Sequence, residues 1–206
     1  GFYVITGGLG GLGLKTAEVL VELGIKHLSL IGRHLPNSET MAKIEQWKQQ
    51  GIQVDIGTLD VADLDNAKMY FEKLNNKKSI KGIVHCAGIL EDVLIEKLEW
   101  SSVENVFASK VKGTIVLNAI IEKLNLSLNH FISFSSVSAV LGVASQANYG
   151  MANRFIDALM CQRASKNQPG LSINWGPWSE VGMASILSEK ELNFWKQRGL
   201  DYLSVE

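Results

Sequence analysis

Short apolar runs alternate with amphipathic segments along most of this chain. The first run, residues 2–5, consists of β-branched and aromatic residues and therefore predicts a strand. Apolar residues at helical spacing over residues 14–21 then predict a helix. A glycine-rich turn, residues 6–13, joins the predicted strand to the predicted helix.

The same alternation continues along the chain. Further strands are predicted over residues 26–31, 52–58, 80–86, 130–135 and 171–175. Further helices are predicted over residues 38–50, 63–75, 100–124 and 148–166, the third of them with a possible break near Gly113. Strands that alternate with helices form βαβ units, so the predicted fold class is α/β. We expect a doubly wound parallel sheet in a Rossmann-like, three-layer α/β/α sandwich.

Length, composition and charge narrow the function classes. With 206 residues, 46% of them hydrophobic, the chain predicts one domain over residues 1–206 with a sizeable core. A net charge of −1 and the lack of a long basic run argue against nucleic acid or an anionic membrane as partner. No apolar run approaches the roughly 18 residues of a spanning helix. Cys86 and Cys161 show no metal or disulfide spacing, which predicts a reducing, cytoplasmic location and no metal.

The glycine-rich turn is the first candidate binding site. Such a turn leaves backbone N–H groups at a helix N-terminus, where a dinucleotide pyrophosphate can bind. The alternative is a plain tight turn that needs glycine only for its backbone angles. Because a strand precedes the turn and a helix follows it, cofactor binding is the favoured interpretation. The predicted binding residues are Thr6, Gly7, Gly8, Leu9, Gly10, Gly11, Leu12 and Gly13.

Ligands of doubly wound sheets bind at the carboxyl ends of the strands, which directs attention to Arg33. This residue ends the second strand, where an NAD-dependent enzyme usually has an acidic residue for the ribose 2′-hydroxyl. Its planar group of donors suits a 2′-phosphate instead, so the predicted cofactor is NADPH. The alternative for Arg33 is an ordinary solvated surface arginine.

The ends of the third and fourth strands add to the predicted cofactor site. Asp60, followed by Val61, is equally suited to bind the adenine amino group or to cap the helix that starts near residue 63. Small residues at Ala87 and Gly88 would allow a flat cofactor to lie close to the backbone. His85 ends a buried strand and is interpreted as a structural histidine without a catalytic role.

Four residues predict a proton-delivery site. Tyr149 and Asn153 share one helix face because they are four residues apart, and Ser136 ends the fifth strand. No histidine or carboxylate is placed to activate Ser136 as a nucleophile. An unperturbed tyrosine has a pKa of about 10, and a nearby ammonium such as that of Lys110 would lower it. The alternatives are a core aromatic at Tyr149 and a solvated surface lysine at Lys110.

Together with the glycine turn, several segments of the chain resemble the short-chain dehydrogenase/reductases. More narrowly, they resemble the ketoreductase domains of modular polyketide synthases and animal-type fatty acid synthases. These segments are residues 85–88, 110–113, 134–137, 146–153 and 174–178. Most members outside this group have lysine four residues after the tyrosine and asparagine on the preceding helix. In this chain Asn153 and Lys110 exchange those two positions, which is typical of domains embedded in synthases.

The resemblance implies an NADPH-dependent β-ketoacyl reductase whose partners are an acyl carrier protein and neighbouring synthase domains. Tyr149 would donate a proton, Ser136 would bind the carbonyl oxygen, and Lys110 with Asn153 would hold the cofactor ribose and a water. Pro177 and Trp178 would join the cofactor-binding residues. The resemblance also implies the catalytic subdomain of a longer multidomain chain, without its structural subdomain and final strand. The alternatives are a non-catalytic NADP-binding structural module and a free-standing short-chain reductase of other ketones.

Family markers also suggest the configuration of the product. The substrate-orienting positions are Leu90, Asp92, Leu141 and Asn148. Leu90 and Asp92 keep two residues of the Leu-Asp-Asp triplet of one stereochemical type, and Leu141 stands where the other type has tryptophan. The resemblance therefore implies a D (3R) product, although Ala144 replaces a frequent proline. Residues 179–198 are expected to form either a lid or core, with Ile186, Leu187, Leu192 and Trp195 on a helix.

Overall fold

The computed structural model describes residues 1–178, 199 and 203–204. Over these residues, six parallel strands form one sheet in the order β3-β2-β1-β4-β5-β6. The strands are β1 Phe2–Thr6, β2 His27–Gly32, β3 Gln53–Thr58, β4 Ile80–His85, β5 His130–Ser136 and β6 Leu171–Trp175. The strand order reverses between β1 and β4, which opens a crevice at the carboxyl ends of these strands.

Helices cover both faces of the sheet, as the doubly wound prediction requires. They are α1 Gly11–Glu22, α2 Ser38–Gln49, α3 Leu64–Lys77, α4 Trp100–Phe107, α5 Gly113–Lys123, α6 Ser138–Leu141 and α7 Ala147–Ser165. The predicted α/β fold class is confirmed. Helix α6 and a 3₁₀ turn at Ile95–Lys97 were not predicted, because elements of three or four residues are too short to show a helical period. In the described part of the chain, no helix combines the length and apolar character needed to span a membrane.

The long helix predicted over residues 100–124 is interrupted near Gly113, as predicted, and the interruption is a π-helical turn. A π-helical turn, Ala108–Lys112, lies between α4 and α5, and α5 begins directly at Gly113. Gly113 is buried, and a Cβ there would approach His85 Cε1 and Val61 Cγ1 to 3.2 Å. Glycine at this position therefore allows close packing of the helix.

The side chains of adjacent strand residues pack into two separate apolar cores. Val4 and Ile83 belong to one buried cluster, whereas Ile5 and Val84 belong to another. This follows from the alternation of side chains across a strand, which sends neighbouring residues to opposite faces of the sheet. Because both faces are buried, the central strands read as continuous apolar runs, and their carboxyl ends are held in fixed positions.

Candidate active site

The glycine-rich turn packs against the end of β4. Gly7 has a φ of +69°, and a Cβ there would lie 2.9 Å from the backbone nitrogen of Ala87. A Cβ at Gly13, in the first turn of α1, would overlap the carbonyl oxygen of Gly7. These two positions therefore require glycine, one for backbone conformation as well as space and the other for close approach of helix and strand.

The N-terminus of α1 is open to an anion. Its N-cap residue, Gly10, offers no side-chain hydrogen bond, and no acidic residue lies in the first helical turn. The first N–H groups of the helix therefore have no side-chain acceptor at the cap. Such an arrangement fits a pyrophosphate, because backbone donors and the helix dipole both favour negative charge.

A cavity of about 380 Å³ lies beside this helix terminus. It is lined by all of residues 6–13 except Gly8, and by Arg33, Asp60, Val61, Ala87 and Gly88, which were predicted to bind the cofactor. Sequence reasoning missed several other lining residues, among them His34, Leu35, Leu59 and Ser109. Three of these flank the ends of β2 and β3, so the rule of carboxyl strand ends could have found them.

Three predicted cofactor residues lie outside the lining of this cavity. Gly8 is buried beneath the turn, where its N–H donates to the Ile31 carbonyl oxygen at 3.1 Å. The carbonyl oxygen of Pro177 accepts a hydrogen bond from Leu203 N at 2.9 Å. The ring of Trp178 packs edge-on against Trp175, with centroids 5.2 Å apart. Gly8 therefore shapes the turn from below, and a cofactor contact of Pro177 and Trp178 stays a prediction.

The structure distinguishes between the two roles considered for Asp60, a cap of α3 and a contact with the adenine. Asp63 is the N-cap of α3, and its carboxylate accepts hydrogen bonds from the backbone of Asp65 and Asn66. Asp60 instead accepts a hydrogen bond from Ala62 N at 2.9 Å, and it lines the cavity. Capping of α3 therefore does not explain Asp60, and contact with an adenine stays a prediction.

Lys110 is buried at the carboxyl end of β5. Lys110 belongs to the π-helical turn and is only 3% exposed, and its Nζ donates to the Phe134 carbonyl oxygen at 2.7 Å. The Nζ atom also lies over the ring of Tyr149, 5.3 Å from the centroid. Burial lowers the pKa of Lys110 to about 8, against the opposing influence of Cys86 and Asp157. The surface alternative for Lys110 is therefore wrong.

Tyr149 and Asn153 lie together on one face of α7. Asn153 is fully buried, and its Nδ2 donates to the backbone carbonyl of Tyr149 at 2.9 Å. Burial raises the pKa of Tyr149; the Asn153 amide opposes this rise and Asp92 adds to it. The pKa of Tyr149 is therefore raised and not lowered as expected, and the phenol keeps its proton at neutral pH.

Ser136 ends β5 beside this pair. Its Oγ accepts a hydrogen bond from Ser138 N at 3.2 Å, and its carbonyl oxygen accepts one from Asn174 Nδ2 at 3.1 Å. The preceding residue, Ser135, is buried, and its Oγ donates to the Asn153 carbonyl oxygen at 3.4 Å. Hydrogen bonds at the end of β5 therefore connect this strand to the π-helical turn, to α7 and to β6. Of the four predicted catalytic residues, Lys110 and Asn153 hydrogen-bond to this strand end, Tyr149 contacts both of them, and Ser136 is the last residue of the strand.

The loop after β4 is tied to the residue that precedes Tyr149. Asn148 is fully buried, and its Nδ2 donates to the carbonyl oxygens of Glu91 at 3.0 Å and Ser102 at 3.4 Å. Its Oδ1 accepts from Tyr149 N at 2.8 Å. The Glu91 carboxylate in turn accepts from Ser102 Oγ at 2.9 Å and Asn105 Nδ2 at 3.3 Å. These bonds fasten the loop to both α4 and α7.

The other predicted orienting residues surround this loop. Leu90 packs against a small buried cluster that includes Tyr149. Asp92 accepts a hydrogen bond from Gln146 Nε2 at 3.3 Å, whereas Leu141, the last residue of α6, is largely exposed. The predicted helix with Ile186, Leu187, Leu192 and Trp195 lies outside the described residues.

His85 fits the structural role predicted for it. It is almost fully buried, and its Nδ1 lies 2.6 Å from Thr6 Oγ1. Burial lowers its pKa to about 3, so the imidazole is neutral at physiological pH. Sequence reasoning gave no site role to Asp157 or to Asn174 of the 174–178 segment, which hydrogen-bond to each other at 2.9 Å beside Ser135 and Ser136. The four-residue step from Asn153 to Asp157 was the available signal.

Comparison with known proteins identifies the family. The model of the KR domain family matches residues 1–180. The chain is 32% identical over 207 residues to a phenolphthiocerol/phthiocerol polyketide synthase of Mycobacterium tuberculosis; the match covers all of this chain and 9% of that protein. It is 33% identical over 199 residues to 6-methylsalicylic acid synthase of Penicillium patulum, with 90% of this chain and 11% of that protein covered. The chain thus spans about a tenth of these relatives.

Solved structures with the same fold carry the same family name. A ketoreductase domain from the bacillaene assembly line matches all of this chain and 50% of its own, with a TM-score of 0.89 and 31% identity. The ketoreductase from the first module of phoslactomycin biosynthesis in Streptomyces sp. HK803 matches all of this chain and 47% of its own, with a TM-score of 0.90 and 30% identity. The chain therefore belongs to the KR, or ketoreductase, domain family of polyketide synthases, whose members are oxidoreductases that bind a nicotinamide cofactor.

Proposed function

We propose that this domain uses NADPH to reduce a β-ketoacyl thioester, carried by an acyl carrier protein, to the β-hydroxyacyl thioester in polyketide or fatty acid biosynthesis. The observation that carries the proposal is the convergence of two features at one edge of the sheet. One is a cavity with an open helix N-terminus, and the other is the buried group of Lys110, Tyr149 and Asn153. The synthase names of the relatives support the substrate class.

The cavity residues fit a phosphorylated dinucleotide. The N–H groups at the start of α1 would bind the pyrophosphate, and Gly7 and Ala87, which lie close together, carry no side chain larger than a methyl group. Arg33, exposed at the end of β2, would pair with the 2′-phosphate. When bound, NADPH supplies the hydride that reduces the β-keto carbon.

Side chains of this domain would then transfer a proton to the carbonyl oxygen. Tyr149 keeps its hydroxyl protonated at neutral pH and donates this proton to the carbonyl oxygen as negative charge develops there. The Ser136 hydroxyl donates a hydrogen bond to the same oxygen. The ammonium of Lys110 stabilises the phenolate that remains on Tyr149, and Asn153 orients the helix turn between them. Acid catalysis of this kind contributes roughly 10²–10⁴ in rate.

The loop that carries Leu90, Glu91 and Asp92 supports a D (3R) product. Its hydrogen bonds to Asn148, Ser102 and Gln146 keep it ordered although Ala144 stands where proline is frequent. An ordered loop on one side, and Leu141 instead of a bulkier tryptophan on the other, would fix the side from which the thioester arm enters. Because Tyr149 is fixed by α7, the side of entry determines which face of the ketone meets the hydride.

Steady-state NADPH oxidation by the full chain tests this function. A β-ketoacyl thioester is expected to be reduced far faster than a cyclic ketone, and chiral chromatography is expected to yield mainly the D product. NADPH binding without oxidation would favour a structural module instead. Preference for the cyclic ketone would favour a free-standing reductase of other ketones, and a predominantly L product would overturn the stereochemical part alone.

A further inference from the structure

Gly88, in the loop after β4, lies directly against the side chain of Lys110. A Cβ atom at position 88 would lie 2.7 Å from Lys110 Cε and 3.4 Å from its Nζ. Carbon atoms in packed interiors approach to about 3.5–4.0 Å, so an alanine here would overlap the lysine chain. Among the described residues other than its chain neighbours, the next nearest heavy atom is Lys110 Cγ, at 3.6 Å. The side chain of Lys110 therefore takes the space in which a Cβ of residue 88 would stand.

Neither the backbone conformation nor the cavity explains glycine at this position. The φ angle of Gly88 is not positive, so the left-handed conformation that favours glycine is not involved. The cavity is lined by Ala87 as well as by Gly88, so a methyl group is compatible with a lining position. The overlap with Lys110 is therefore the physical reason for glycine here.

Lys110 cannot easily move aside, because it is held at both ends. Its backbone belongs to the π-helical turn, and its carbonyl oxygen accepts a hydrogen bond from Thr114 Oγ1 at 2.5 Å. Its Nζ donates to the Phe134 carbonyl oxygen at 2.7 Å and lies 5.3 Å from the centroid of the Tyr149 ring. Displacing Cε would break this charge-assisted hydrogen bond inside the protein, where the ammonium has lost its water.

We propose that Gly88 is a positioning residue whose missing Cβ lets the Lys110 side chain pass the loop after β4 and reach the Phe134 carbonyl oxygen and the face of Tyr149. This role adds to the predicted contact of Gly88 with the cofactor and does not depend on it. The steric part of the inference concerns the protein alone, whereas its effect on turnover rests on the proposed ketone reduction. Gly88 acts on that reaction through Lys110.

A double-mutant cycle between Gly88→Ala and Lys110→Ala tests the proposal in the full chain. Alone, Gly88→Ala is expected to raise the equilibrium constant of unfolding by about tenfold or more, because it overpacks a buried region. Lys110→Ala removes the chain beyond Cβ, and with it all three atoms that the new methyl group would approach. In that background Gly88→Ala should change the constant by less than about twofold. Urea unfolding measures all four proteins.

Gly57→Ala is the matched control for the cycle. Gly57 lies on β3 at an edge of the sheet, and a Cβ there would lie 2.8 Å from Tyr70 Cζ, so the variant creates a similar overlap with another side chain. Its cost should be the same with and without Lys110→Ala. Lys110→Met supplies a second background. Methionine cannot donate to Phe134 and can bend aside, so the cost of Gly88→Ala should fall there as well.

Kinetics separate this role from direct contact with the cofactor. Gly88→Ala is expected to lower kcat for thioester reduction by about 10²-fold, the cost of displacing a catalytic group by about 1 Å. When Lys110 is already alanine, Gly88→Ala should lower kcat no further. If Gly88 only left space for the cofactor, the NADPH dissociation constant would rise by the same factor in both backgrounds. Unfolding of the cofactor-free chain would then show no coupling.

Distinct results would overturn the two proposals. An equal cost of Gly88→Ala with and without the Lys110 side chain would overturn the role of Gly88. If Gly88→Ala does not fold, the double variant with Lys110→Ala is expected to fold. A double variant that fails to fold while Lys110→Ala folds would also overturn the role. If the wild-type chain does not reduce the thioester, the proposed function fails, while the unfolding cycle still decides the role of Gly88.

Discussion

The two halves of the candidate site are built by different means. The cofactor half, around β1 and the start of α1, is shaped by backbone: the glycines of the turn approach one another closely, and the cavity is lined by this turn and by the residues that follow β2, β3 and β4. The proton-transfer half, around the end of β5, is made of buried polar side chains from the π-helical turn and α7, with the exposed Asn174 of β6 beside them. The cofactor half depends on glycines that lack a Cβ atom, whereas the proton-transfer half depends on the charges and hydrogen bonds of polar side chains.

Because of this difference, we expect the two halves to be sensitive to opposite kinds of substitution. Adding a methyl group should damage the cofactor half, because no space is left between turn, helix and strand. Removing a polar atom or a charge should damage the proton-transfer half, because its remaining partners stay buried without compensation. The following experiments probe one half at a time, with the largest expected effect first.

Replacing Tyr149 with phenylalanine removes the proton donor but keeps the ring beneath Lys110. We expect thioester reduction to slow by about 10²–10⁴-fold, with NADPH affinity and folding unchanged. Single-turnover kinetics and cofactor titration measure the two effects separately. Tyr70→Phe is the matched control, because Tyr70 is a part-buried tyrosine whose hydroxyl binds Ser29 away from the site. Near-normal turnover by Tyr149→Phe would mean that another group is the acid.

Replacing Lys110 with methionine removes a buried ammonium, so the variant shows how much this group lowers the free energy of unfolding. The folded-state pKa of about 8 lies below the ordinary 10.5, so the unfolded chain binds the proton more tightly. The stability contribution of Lys110 is therefore fully present above pH 10.5 and is lost as the pH falls through about 8. Relative to Lys110→Met, wild-type stability should rise by up to about 3 kcal/mol across this window.

Urea unfolding of both proteins at about pH 8 and about pH 10.5 measures this difference. Other tyrosines and lysines titrate in both proteins, so their contributions cancel in the comparison. A stability difference that stays constant over the window would contradict the lowered pKa of Lys110.

Replacing Gly13 with alanine tests the cofactor half by adding one methyl group. The new Cβ would overlap the Gly7 carbonyl oxygen, so we expect a loss of about 1–3 kcal/mol in the free energy of unfolding. Gly10→Ala is the control in the same turn, because a Cβ there meets no atom within 4 Å. Urea unfolding compares the variants, and equal stability of the two would show that the turn is not tightly packed.

Replacing Arg33 with alanine tests the choice of cofactor. A charge-assisted hydrogen bond to a phosphate contributes about 1.5–3 kcal/mol, so NADPH affinity should fall roughly tenfold or more. NADH serves as the internal control, since it lacks the 2′-phosphate and should bind almost unchanged. Fluorescence titration with both cofactors measures the ratio, and equal losses would refute the role of Arg33.

The difference between the two halves of the site also explains which features could be predicted from the sequence. Residues 6–13 could be recognised directly, because a turn between one strand and the next helix is encoded within a few residues. Strand and helix periods predicted the six strands and the α/β class for the same local reason. The role of Asp60 could not be decided locally, because Asp60 and Asp63 are both suitable caps by residue type.

The sequence by itself determined the parallel sheet, the glycine turn and the exchange of Lys110 and Asn153, since each is a pattern of residue types along the chain. Only the tertiary structure decided that Lys110 is buried, that burial raises the pKa of Tyr149, and that Asp157 is hydrogen-bonded to Asn174. Burial and through-space electrostatics depend on which distant segments pack together. Spacing within one segment does not contain that information.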